Sequence, residues 1–379
     1  MNILQISFHT SPYSELGIND GGGLNVYVQE ISKHLSNNHN VTVVTAEKAE
    51  SFKKDNLEFY SLNLFEPNLP MEDKELHLSQ FEKKLEESFQ LSNFDIIHSH
   101  YWLSGLVAKG ISNKFNVPYI FTSHSLGVFL EGYNKERTDC EKIIMNAASL
   151  ITASSNYETN LISESYKIDK KKIKLVKPGV DENLFSPNPG LSRENIFLSI
   201  GRIQKQKRQL DAIQFLNTFR ETENDFKCYF IGGPSGSSGD SYFLEIKEIV
   251  KELDLDSHVE FLGNLSQSKI RELLVRSKLL IHTSQYETFG LVAIEAHSVG
   301  VPVVSINQGA LKEIINNNIN GYIAESFDDQ YLNEFILKIL NDDKYADYVS
   351  NSAINSSKKY DWKDTSKKLN LLYQELKLR

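Results

Sequence analysis

Two glutamates with seven residues between them, Glu287 and Glu295 in "SQYETFGLVAIEAHSVGVPVV", carry the most suggestive chemistry in this chain. A helix starting near Gly290 or Leu291 would aim its free backbone N–H groups toward Glu287 and Thr288 and make an anion site. Glu295, just over one turn inside, would reach a ribose diol with two acceptor oxygens; Glu287, ahead of the helix, would take sugar hydroxyls. The alternative is a pair of solvated glutamates at a helix start, where the dipole favours carboxylates anyway. In "SIGRIQKQKRQLDAI", Arg202 and Lys207 follow a strand five residues apart. There they would clamp a diphosphate, Arg as a fork and Lys as a point charge, since a basic helix start is otherwise disfavoured by the dipole. His124, in "TSHSLG", ends an apolar strand beside Ser125, a placement more often structural than catalytic.

Such residues need a scaffold. "NILQIS" reads as a buried strand, and "NDGGGLNVYVQEISKHL" puts Gly21, Gly22 and Gly23 ahead of a helix of about Leu24 to Ser36. "HNVTVVTA" is the next strand, completing a βαβ unit. The runs "FDIIHSH", "PYIFTSH", "ASLITASS" and "KIKLVKPG" continue the alternation, and the strands end in polar residues: Thr10 after the first, then His98, His100, His124 and Ser154. Alternating strands and helices predict a mostly parallel sheet, and such sheets bind ligands outside the carboxyl ends of their strands. Prolines and a glycine in "DENLFSPNPGLSREN" predict a linker. Beyond it, "NIFLSIGR", "KCYFIGGPSG", "HVEFLGN", "KLLIHTS", "VPVVSIN" and "GYIA" predict a second doubly wound domain. The expected division is 1–186 and 187–359, with a C-terminal helix over 360–379 packing back on the first domain. Two such domains leave a cleft, a favoured place for ligands.

Composition narrows the class. Hydrophobic residues make up 40% and charged residues 24% of 379, as in a soluble globular protein. The net charge of −9 argues against nucleic-acid binding. Cys140 and Cys228 give no disulfide framework, which fits a reducing cytoplasm, and no apolar run reaches the ~18 residues of a spanning helix. A homodimer stays open.

The segment from Glu287 to Glu295 resembles the E-x7-E signature of retaining GT-B glycosyltransferases, in particular glycosyltransferase family 4. The resemblance implies an α/β fold of two Rossmann-like domains facing across a cleft. It places Glu287 by the donor sugar, with Phe289, Gly290 and Leu291 between it and the ribose-binding Glu295. The family's G-R-x4-K-G pattern falls on Arg202 and Lys207, with Arg208 in place of the last glycine. His124 would lie over the donor sugar near its reacting carbon. Catalysis is then assigned to His124, Arg202, Lys207 and Glu287, by front-face substitution in which the leaving diphosphate takes the acceptor's proton. Gly22 and Gly23 lack dinucleotide spacing and would instead let the backbone approach diphosphate and sugar.

Within the family, "GGGLNVYV", "HSHYWLSG" and "IGGPSGS" are most similar to D-inositol-3-phosphate glycosyltransferases of mycothiol synthesis, and next to sucrose-phosphate synthases. That likeness implies an acceptor phosphate held by Lys74, Tyr101, Ser125 and Arg137, with Asn25 on the polyol. The expected reaction moves a hexosyl group from UDP-glucose or UDP-N-acetylglucosamine to a small phosphorylated polyol or sugar. A lipid or polysaccharide acceptor is the alternative, and would call for an exposed apolar and basic patch. No cofactor or metal is expected: "DLD" at Asp254–Asp256 reads as a helix terminus, and His98 and His100 have no third ligand in view. Gln308 departs from the usual G-G-x-x-E/D loop.

Overall fold

Short apolar runs bounded by turns form the strands, as their β-branched content favours. The computed structural model describes residues 1–14, 21–129, 134–236, 238–306, 309–326 and 328–378. The described residues divide into two units: one runs to Pro178 and resumes at Trp362, the other is Gly179–Asp361.

The first unit carries β1 (Asn2–Ile6), β2 (Asn40–Glu47), β3 (Phe52–Lys54), β4 (Leu57–Phe65), β5 (Ile96–His100), β6 (Tyr119–Thr122), β7 (Leu150–Ala153) and β8 (Ile173–Leu175). Among the described residues they form one sheet of order β3-β4-β2-β1-β5-β6-β7-β8. Only the β3–β4 pair is antiparallel. This hairpin was not expected from sequence, because β3 is exposed and β4 alternates without a continuous apolar run. The inner strands are buried almost throughout, as a sheet covered on both faces requires.

The second unit carries β9 (Glu194–Ile200), β10 (Lys227–Ile231), β11 (Val259–Gly263), β12 (Ser277–His282), β13 (Val303–Ser305) and β14 (Gly321–Ile323) in one parallel sheet, order β11-β10-β9-β12-β13-β14. The strand order reverses between β1 and β5 in the first sheet and between β9 and β12 in the second. At these switch points the connections leave to opposite sides and open a crevice for ligands.

The stretch 181–195, expected as a linker, belongs to the second unit and is anchored there at Phe185, while 187–192 is exposed. Val180 bridges Asp361, Phe185 is buried in the core, and β9 has begun by Glu194. The division therefore falls at 178/179 rather than 186/187. Tyr360 also lies in the second core, edge-on to Phe289, so the return falls at 361/362 rather than 359/360. The helix Trp362–Lys377 then packs on the first unit: Trp362 meets Tyr27 at 5.7 Å and Thr365 Oγ1 donates to the Lys177 carbonyl at 2.7 Å. No helix among the described residues is long and apolar enough to cross a membrane.

Candidate active site

At the second switch point, β9 and β12 are parallel neighbours. A short 3-10 turn, Lys205–Lys207, follows β9 and brings Lys207 Nζ to 3.3 Å from Glu287 Oε2. His282, the last residue of β12, places Nε2 3.4 Å from the same oxygen. Thr283 Oγ1 donates to the Lys207 carbonyl at 2.5 Å and pins the turn. Burial alone would raise the Glu287 carboxyl, but Lys207 and His282 hold it at about 2. The helix Leu291–Ser298 opens at Gly290, whose φ of +103° suits glycine, and a Cβ there would lie 2.5 Å from Leu311 Cδ2. Phe289, buried against Tyr360 at 5.5 Å, anchors the loop, and Leu291 is half-buried. Glu295, half-buried on the helix, is pushed by burial to about 7. Arg202 follows β9 and is half-buried, its carbonyl accepting from Gln209 Nε2 at 2.9 Å. Lys207 and Glu287 are thus in direct contact, with Arg202 in the segment between β9 and the turn of Lys207, and Glu295 on the helix that follows Glu287.

In the first unit, Asn134 caps the helix Lys135–Ala147 by accepting from the Arg137 N–H. That start directs the Arg137 guanidinium inward. Its Nε donates to Glu141 Oε1 at 2.8 Å, Nη1 to the Tyr101 hydroxyl at 3.0 Å, and Nη2 to the Ser125 Oγ at 2.9 Å. Tyr101, Ser125 and Arg137 therefore form one cluster. Lys74 joins it at one remove: Nζ donates to the His9 carbonyl at 2.8 Å, and the His9 ring packs on Tyr101 at 4.3 Å. Lys74 is fully buried and lies 3.8 Å from Glu47. Asn25, also fully buried, donates to Thr10 Oγ1 at 3.1 Å and the Ser11 carbonyl at 2.6 Å, and accepts from the Gly22 N–H at 3.1 Å. Lys74 and Asn25 thus hold the backbone of residues 9–11, just after β1. Gly22 caps the helix Gly23–Leu35 with open space where a Cβ would be, and Gly23 is exposed.

His124 follows β6 with φ of +57°, and its Nε2 lies 3.0 Å from His100 Nδ1. Tyr27 meets its ring edge-on at 5.0 Å. His98 bonds the Tyr373 hydroxyl and Thr122 Oγ1, both at 2.7 Å. Burial pushes His98 and His124 down to about 3 and His100 well below the usual imidazole range, so all three rings are neutral near pH 7.

Residues 21–184 match the family described as Glycosyltransferase Family 4, and residues 181–356 match Glycosyl transferases group 1. The chain carries both glycosyltransferase domains. This glycosyltransferase is 28% identical over 412 aligned residues to the D-inositol 3-phosphate glycosyltransferase of Corynebacterium urealyticum, covering 99% of this chain and 96% of the relative. The enzyme of the same name from Frankia alni is 27% identical, covering 95% and 96%. Among solved structures, the sucrose-phosphate synthase of Thermosynechococcus elongatus superposes with a TM-score of 0.89 at 24% identity, covering 99% of this chain and 98% of that one. Anabaena HepE, solved with UDP and glucose, gives 0.77 at 18%, covering 98% and 99%. The fold is GT-B.

Several residues of these clusters were not anticipated from sequence. His282 ends a strand in "LLIHTS", a signal as strong as that of His124. Glu141 is fully buried, takes the Arg137 pair and accepts from the Gly127 N–H at 2.9 Å. Glu158 stands three residues after Ser155, the spacing of a capping box. It is buried, accepts from Ser123 Oγ and from the Ser154 N–H at 2.7 Å, and so secures the residue before His124. Arg208 adopts φ of +52°, which explains why a glycine suits this position, and pairs with Asp211 at 2.6 Å. Gln308 lies outside the described residues.

Proposed function

We propose that this glycosyltransferase moves a hexosyl group from UDP-glucose or UDP-N-acetylglucosamine to a small phosphorylated polyol or sugar, with retention of configuration. The observation that carries the reading is the Lys207–Glu287–His282 cluster at the second switch point. Arg202 and Lys207 take the diphosphate, Glu295 the ribose hydroxyls and Glu287 the hydroxyls of the sugar. The N–H groups opening the helix Leu291–Ser298 add partial positive charge, held in place by Phe289 and Gly290. The UDP and glucose bound by HepE support a uridine donor and a hexose.

For the acceptor, Arg137 between Tyr101 and Ser125 offers the forked donors that suit a phosphate. Lys74 adds a buried charge, and Asn25 sets the loop bearing Gly22 and Gly23. D-inositol 3-phosphate and sucrose-phosphate, in the names of the relatives, share a small polyol carrying a phosphate. The sucrose-phosphate-synthase likeness favours a sugar phosphate as the second reading for this site.

In the step itself, the bond from the sugar's C1 to the diphosphate oxygen breaks while the acceptor oxygen bonds C1 on the same face. The acceptor's proton passes to the leaving diphosphate. Arg202 and Lys207 stabilise the charge that develops there, His124 borders the sugar, and positioning supplies much of the remaining acceleration. We propose no metal or cofactor, and a cytoplasmic setting. Thermal-shift screening of nucleotide sugars, then of phosphorylated acceptors with UDP present, identifies the substrates, because a ligand of the folded state raises Tm. Anomeric-proton NMR then reads the product. An α-linkage from an α-linked donor is expected; a β-linkage would overturn retention.

A further inference from the structure

The left-handed backbone at His124, φ of +57°, is strained for a non-glycine residue, so its neighbours must hold it in place. On one side Glu158 secures Ser123. On the other, His124 Nε2 faces His100 Nδ1 at 3.0 Å, and His100 Nε2 faces Gln5 Oε1 at 3.0 Å. Gln5 and His100 are fully buried on the neighbouring strands β1 and β5.

A neutral imidazole has one donor and one acceptor nitrogen, so a single fixed acceptor propagates along such a chain. Gln5 Oε1 accepts, hence His100 carries its proton on Nε2 and offers the lone pair of Nδ1. His124 must then donate from Nε2, which leaves Nδ1 as its acceptor nitrogen. His98, turned to Tyr373 and Thr122, stays outside this chain but backs the His100 ring at 4.2 Å.

We propose that Gln5 and His100 are positioning residues that fix the tautomer and ring orientation of His124. A sugar group that meets Nδ1 must then donate to it, as a hydroxyl does and a carboxylate does not. The consequence for turnover rests on the reading of His124 as a donor-sugar residue; the tautomer does not.

The test uses the full chain with 15N-labelled histidine and two-bond 1H–15N correlation spectra. In the wild type, His100 and His124 are both expected as Nε2–H forms. His100→Leu should leave His124 in mixed tautomers and lower kcat by ~10- to 100-fold at unchanged KM for the nucleotide sugar. His100→Asn, whose Oδ1 stands where Nδ1 stood, should restore a single tautomer and most of kcat. Gln5→Leu tests the relay where His100→Leu does not fold. An Nδ1–H form of wild-type His124, or a tautomer unmoved by both leucine variants, overturns the relay. A shifted tautomer at wild-type kcat in a folded His100→Leu overturns the positioning role. His124→Ala turning over at the wild-type rate would remove the donor-sugar reading while the spectra still judged the relay.

Discussion

Glu287 and Glu295 belong to one motif, yet their environments push them in opposite directions, to about 2 and about 7. Glu295 is raised, so its contribution to stability is complete below the ordinary carboxyl pKa and is lost as pH rises through 7. In the proposed role, ribose hydroxyls donate to the ionised form. Nucleotide binding should therefore release a proton near pH 7 and tighten as pH rises. Calorimetry in buffers of different ionisation enthalpy checks this, and Glu295→Gln should abolish the release while raising Tm at alkaline pH only. Glu287 is depressed, so its contribution holds above the ordinary carboxyl pKa and is lost as pH falls toward 2. Lys207→Ala removes one source of that depression and the proposed diphosphate contact. Its kcat/KM should fall by ~100-fold or more; wild-type turnover would contradict the assigned grip. At this scale the residue types were legible in sequence and most of their partners were not. Lys207 meets Glu287 across 80 positions, through strand adjacency that local spacing does not encode.

The elements around the site carry their own strains. Arg208 occupies a left-handed position between the turn Lys205–Lys207 and the helix Gln209–Phe219. Arg208→Gly should hold or raise Tm with turnover intact, whereas the β-branched Arg208→Val should cost about 1–2 kcal/mol by denaturant unfolding. Gly290→Ala meets both a positive φ and the Leu311 side chain. It should destabilise by about 1–3 kcal/mol and weaken nucleotide binding, because the helix start must shift. Glycine at 290 and its absence at 208 were visible in the sequence; the backbone angles that give them meaning were not. The hairpin of β3 and β4 escaped for a related reason. Its alternating, half-exposed pattern lacks the solid apolar runs that marked β2, β5 and β12.

Across the whole molecule, the chain passes from the first unit to the second at 178/179 and returns as the helix Trp362–Lys377. Tyr373 is fully buried there and bonded to His98. Tyr373→Phe should cost about 1–3 kcal/mol in denaturant unfolding, since it strands a buried ring nitrogen. The return of this helix was readable from its leucine and aromatic stripe. The cut between units was displaced by eight residues, because prolines and a glycine mark irregular backbone without saying which core it packs against. The proposed phosphorylated small acceptor, served by Arg137, Tyr101 and Ser125, is tested most directly by kcat/KM with a UDP-hexose donor for inositol phosphate and for free inositol, and for a hexose phosphate and its free hexose. Transfer should strongly favour the phosphorylated member of at least one pair, and Arg137→Lys should erode that preference; equal rates for both members of each pair, or no transfer to any, would contradict it.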